Sequence, residues 1–229
     1  MKAVDKNYSE ILKENERSQK SQEYFRQNLV FKSNAVKQDL IDFASYQGWQ
    51  LKAIREADIK NYLPLEIAWV TSEQTAIHYI EDWHIEDAAV YPFSLKTPYL
   101  IIEGKNPQVI ALFISSKFDT YCDQEIITSC QNASNSDDLI DAVVRLSYAA
   151  PEKFDYRYFS TLKKVLCNSD TWVRLATVWA IGCISWCELY DLLKDKSETD
   201  PSEDVQLQAS QLLQIYNIEG ENRLLTVLD

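Results

Sequence analysis

Asn168-Ser-Asp-Thr-Trp-Val-Arg-Leu-Ala-Thr-Val-Trp-Ala-Ile-Gly182 and Asp200-Pro-Ser-Glu-Asp-Val-Gln-Leu-Gln-Ala-Ser-Gln-Leu-Leu213 carry one pattern twice. Val173 falls on Val205, Leu175 on Leu207, Ala180 on Leu212 and Ile181 on Leu213, an offset of 32 residues. A self-match at such a period marks stacked helical repeats, because one unit cannot bury its apolar face alone. Val173, Ala176 and Ala180 are therefore expected between helices.

Working outward, Asp137 to Ala149 carries Leu139, Val143 and Leu146 at helical spacing, with Asp137 and Asp138 favouring its N-terminus and Pro151 stopping it. Asp155 to Cys167 carries Tyr158, Phe159, Leu162 and Val165. These two helices read as a degenerate copy of the same unit. Asp123 to Asn132 is a short helix before them. Helices over 186–196 and 203–216 continue the stack, and Leu224, Leu225 and Leu228 in the last segment are expected to cap it.

The quoted motif resembles the HEAT-like repeat, in the short form also found in phycobilin lyases. Asp200-Pro201 matches its turn, Val173-Arg174 its central pair and Ala180-Ile181-Gly182 its end. The resemblance covers about a third of the chain. It implies that small residues let neighbouring helices approach and that Arg174 pairs with an acid in an adjacent turn. The second copy departs from the pattern, with Gln206 in place of Arg. That loss of the pairing suggests a terminal, capping repeat.

Ahead of the repeats the periodicity changes. Glu66 to Thr71 and Thr75 to Ile80 are rich in β-branched and aromatic residues and lie either side of Ser72-Glu-Gln74, so they read as a β-hairpin. Tyr99 to Glu103 is an apolar run ending at Gly104 and reads as a third strand. Residues 83–98, with Pro92 and Pro98, read as a loop. Pro107 opens a helix whose Val109, Ile110, Phe113 and Ile114 face is expected to cover the sheet. Trp49 to Ile54 fits a strand or a helix. Residues 33–48 read as a helix capped by Ser33 and closed by Gly48. The polar stretch over 5–27 has helical propensities. The expected class is α+β, mostly α, with N-terminal helices over 1–48, a small α/β module of three or four strands and one helix over 49–118, and a short HEAT-like α-solenoid over 119–229. Ile77-His-Tyr-Ile-Glu-Asp82 with Tyr99 to Gly104 also resembles a small α/β module seen beside HEAT-like repeats in bacterial proteins, including some sensor chains with a NACHT-type NTPase. No Walker motif is present, so that resemblance implies a sensing or adaptor part without the engine.

Charge narrows the function classes. The chain carries a net −12. Residues 1–65 hold 11 basic and 9 acidic residues, and residues 66–229 hold 12 basic and 26 acidic. Such a surface repels a phosphate backbone, so no nucleic-acid partner is expected. The only glycines are 48, 104, 182 and 220, which leaves no Gly-rich phosphate loop. No run of 18 apolar residues and no apolar leader occurs, so no membrane partner and a cytoplasmic location are expected. The five cysteines at 122, 130, 167, 183 and 187 include no C-x-x-C, and Cys183 and Cys187 read as thiols buried in a helical core.

Among possible chemical sites, His78-x3-Asp82-x-His84 gathers the only two histidines beside a carboxylate, a set zinc can use. A solvated strand end is the plainer reading, so no metal and no cofactor are expected. No nucleophile–base constellation is present and no catalytic residue is assigned. Glu188, Asp191 and Asp195 instead line one helical face at i, i+3 and i+7, with Tyr190 to one side and Tyr156 nearby. The expected role is a non-enzymatic protein–protein interaction module, an adaptor, sensor or immunity-type binder whose partner carries a basic patch. The alternative, from the resemblance, is a chromophore-handling enzyme related to phycobilin lyases.

Overall fold

The computed structural model describes residues 25–61, 63–82, 93, 97–184 and 186–227. Five strands form one antiparallel sheet: β1 (Phe25–Val30), β2 (Gln50–Arg55), β3 (Leu65–Val70), β4 (Ala76–Glu81) and β5 (Tyr99–Gly104), in the order β1-β5-β4-β3-β2. The expected hairpin is β3–β4, with Val70 opposite Ala76. Residues 25–27, expected in a helix, belong to β1. Tertiary pairing with β5 outweighs their helical propensity, Arg26 lying opposite Glu103 and Val30 opposite Tyr99. The rest of the expected N-terminal helix lies outside the described residues, as does most of the expected loop over 83–98. Trp49 to Ile54 resolves as strand β2. Among the described residues the sheet therefore has five strands rather than three or four, and it draws on residues either side of 48.

Alternation sends Ile67, Trp69, Ile77, Tyr79, Leu100 and Ile102 to one face. There they meet two helices rather than one, α1 (Lys37–Tyr46) and α2 (Pro107–Ser115), in a core that includes Leu40, Ala44 and Ile114. Helix α1 starts later than expected. Ser33 Oγ accepts the Ala35 N–H at 3.2 Å and holds the preceding turn, while Val36 occupies the cap. Gly48 follows the helix at φ +69°, a conformation that costs a Cβ-bearing residue more. Strand β2 slips register between Leu51 and Ala53. This keeps Leu51 opposite Trp69 and Ile54 opposite Ile67, on the α1/α2 face, yet both stay exposed. Lys52 and Arg55 on this edge discourage pairing with another strand.

The opposite face, with Val30, Ile80 and Tyr99, packs on the second half of the chain. That half is helical: α3 (Asp123–Asn132), α4 (Ser136–Ala149), α5 (Tyr156–Val165), α6 (Thr171–Gly182), α7 (Tyr190–Thr199) and α8 (Glu203–Val227). Side-chain caps start three of them. Asn135 accepts from the Asp138 N–H, Asp155 from Arg157 and Asp170 from Trp172. Helix α4 packs on α6 and α6 on α8, while α3 packs on α4 and α5, and α7 on α8. Val173, Ala176 and Ala180 are fully buried in this arrangement. The segment expected as one helix over 186–196 divides into a 3-10 turn, Cys187–Leu189, and α7, which runs on to Thr199. Helix α8 continues through to Val227, so its backbone takes up the segment expected as a separate cap.

Candidate functional site

Arg174 is the joint of the helical half. It is 5% exposed, and its fork meets Asp200 through Nε–Oδ2 and Nη2–Oδ1, each 2.9 Å. Nη1 also donates to the Asn168 and Ser169 carbonyls at 3.0 and 2.9 Å. Asp200, 1% exposed, ends α7 and accepts the Ser202 N–H. Burial is the largest single influence and would raise its pKa. The Arg174 hydrogen bond, the Ser202 N–H and the charges of Arg174 and Lys196 together outweigh it and hold the carboxyl below its ordinary value of 3.8. Gln206 Nε2 donates to the Asp200 carbonyl at 2.6 Å, so the residue standing where Arg is usual still serves this turn. At the end of α6 a Cβ on Gly182 would lie 2.8 Å from Leu212 Cδ2, so glycine sets the closeness of α6 and α8.

Beyond this joint lie the residues expected to bind a partner. Glu188 sits in the 3-10 turn and Asp191 and Asp195 on α7, and all three are exposed. Glu188 and Asp191 make no ion pair among the described residues, and Asp195 has only Lys196 at 4.0 Å. Tyr190 is half-buried at the start of α7. Tyr156, 70% exposed, is the first residue of α5. It reaches the acidic turn through other rings. Tyr156 lies 6.3 Å from Phe159, Phe159 5.6 Å from Phe154, and Phe154 5.4 Å from Trp186, all between centroids. Trp186 is buried and donates its indole N–H to the Pro151 carbonyl at 3.1 Å. Phe154 and Trp186 are the members of this cluster that the sequence does not single out. Phe154 falls in the turn before α5, where no periodicity marks it.

The histidine candidate is directed elsewhere. His78 Nδ1 lies 2.7 Å from Glu66 Oε1, and the other oxygen of Glu66 meets Arg55 at 2.7 Å. Asp82 accepts the Tyr148 hydroxyl at 3.0 Å. His84 lies outside the described residues. Among the described residues no three of His, Cys, Asp and Glu gather as a metal would need. Cys187, expected as a buried thiol, is exposed, since α6 ends at Gly182; Cys183 also has exposed surface, but burial pushes its thiol up to about 12. Cys130 is buried as a whole residue, and burial pushes its thiol up to about 12 as well. No helix among the described residues is long and apolar enough to cross a membrane.

Compared with known proteins, the chain matches no family model, no curated protein and no solved structure.

Proposed function

We propose that this chain is a non-enzymatic protein-interaction module, and that residues 119–229 form a short HEAT-like stack whose last units receive a partner with a basic patch. The observation that carries the reading is the exposure of Glu188, Asp191 and Asp195 on the same half of the chain as the exposed Phe154 and Tyr156, whose ring cluster ends at Trp186, two residues before Glu188. Residues 185–229 hold ten acidic and three basic residues, which gives this end a net −7. A field of that sign speeds the approach of a cationic surface. Aromatic side chains anchored by a buried Trp186 supply contact area at small entropic cost. The buried Arg174–Asp200 pair fixes α6 against the turn before α8, and so keeps the acidic face in place.

The test is charge reversal. Partners captured on the immobilised chain are identified by mass spectrometry, and their association is then timed at two salt concentrations. Glu188→Lys, Asp191→Lys and Asp195→Lys together are expected to leave the fold intact, since all three side chains are exposed. Association should slow by about tenfold or more at low salt, with a smaller effect at high salt. An unchanged rate places the interface on another surface.

A further inference from the structure

Where β1 and β5 meet the C-terminal ends of α4 and α6, the two halves of the molecule leave an open cleft of about 260 Å³. It has room for about nine waters at ~30 Å³ each. That lies just under the roughly 300–1,000 Å³ of sites for drug-sized ligands. Its lining mixes polar with aromatic and apolar side chains. Tyr99 and Tyr148 lie 4.4 Å apart between ring centroids, with Ile101 and Ile184 beside them.

The polar groups of the cleft are incompletely used. Tyr99 is 7% exposed and its hydroxyl lies within the electrostatic reach of Asp82 and Arg26, while the Tyr148 hydroxyl donates to Asp82. Burial holds the Tyr99 proton on far above its ordinary value, so this hydroxyl remains a donor at any physiological pH. Arg26 spends Nε on Asn28 Oδ1 at 3.0 Å, and its two Nη groups make no ion pair among the described residues. Glu152 Oε2 accepts the Arg26 backbone N–H at 2.9 Å, and Oε1 has no partner among them. Arg26 and Glu152 are exposed, so water satisfies their free positions until a ligand displaces it.

One guanidinium and one carboxylate thus line the same small cleft with bonding capacity to spare. A simple anion would satisfy Arg26 and meet Glu152, and a simple cation the reverse. A molecule carrying both charges on groups attached to one carbon satisfies the two together. We infer that the cleft is a binding site for a free α-amino acid with an apolar or aromatic side chain. Its carboxylate would lie toward Arg26 and the Tyr99 hydroxyl, its ammonium group toward Glu152, and its side chain against the two tyrosine rings. The cleft adjoins the turn that carries Phe154, where the Trp186 indole donates to the Pro151 carbonyl, but Glu188, Asp191 and Asp195 do not line it, so amino-acid titration tests it separately from the proposed protein partner.

Calorimetric titration of the full chain with each common amino acid tests this, with the amine lacking the carboxylate and the acid lacking the amine as companions. Binding of one or more apolar or aromatic amino acids is expected. Each one-charge analogue should bind about tenfold or more weakly. Arg26→Gln and Glu152→Gln should each weaken binding to a similar degree. Both side chains belong to exposed residues, so melting temperatures are expected to stay near that of the parent. Three results would overturn the inference: no amino acid giving a heat or a rise in melting temperature, one-charge analogues binding as well as the amino acid, or both variants keeping full affinity.

Discussion

At the scale of single residues, Arg174 and Asp200 decide how the helical half holds together. Both are buried, and each satisfies the other's charge with two hydrogen bonds. Removing one partner leaves the other charged and alone in a water-poor place. Arg174→Gln is therefore expected to cost about 3 kcal/mol or more of unfolding free energy, read from urea titrations. Adding Asp200→Asn should recover part of it, and a strictly additive double variant would mean that the pair is not coupled. The pair also shapes acid stability. Asp200 is depressed in the folded chain, so its contribution is complete above its ordinary value of 3.8 and fades as pH falls through the lower folded value. Glu125, held at about 2 by the Lys32 hydrogen bond, adds to the same acid limb. Without Arg174 that limb should flatten but not vanish. Arg174 and Asp200 were legible because both stand in the quoted motif, whereas Tyr99, Tyr148 and Arg26 lie far apart along the chain and meet only in the fold.

Among the elements, legibility followed local pattern. Helices α4, α5 and α6 announce themselves by apolar spacing and by caps, and β3 and β4 by β-branched runs around a short turn. Strand β1 does not, since Arg26-Gln-Asn28 is polar and its partial burial comes from β5, α2 and α4, all distant in sequence. Strand β2 was ambiguous for a related reason. All six of its residues are exposed and its register slips at Lys52, so alternation is broken. Helix α6 supplies the sharpest test at this scale. Ala176 has no exposed surface, and a carboxylate there has no cation to meet. Ala176→Asp is expected to lower stability by about 3 kcal/mol or more, seen as a clear drop in melting temperature. An unchanged melting curve would mean that α6 is rotated relative to its neighbours.

For the whole molecule, the sheet is a shared middle layer. One face belongs to α1 and α2 and the other to the helical half, so neither flank is complete without it. Polar ties cross this second boundary: Lys32 to Glu125 at 2.7 Å, the Arg26 N–H to Glu152 at 2.9 Å and Tyr148 to Asp82 at 3.0 Å. Residues 119–229 produced alone would expose the surface of α4 that β1 and β5 now cover. They are expected to keep helical circular dichroism but to bind a hydrophobic dye that the full chain does not bind. Dye binding equal to that of the full chain would show that the helical half closes its own core.

The pairing of β1 with β5 has a consequence in time. Arg26 and Glu103 are opposite one another across the ladder, yet a ribosome adding about 5–20 residues per second needs roughly 4–15 seconds to travel between them. Throughout that interval the first strand has left the synthetic machinery with no edge to join. Its unremarkable composition then serves a purpose. A polar Arg26-Gln-Asn28 segment gives chaperones little to hold and neighbouring nascent chains little to stick to. The weak hydrophobic signal that hides β1 from a reader of the sequence also shelters it until β5 emerges.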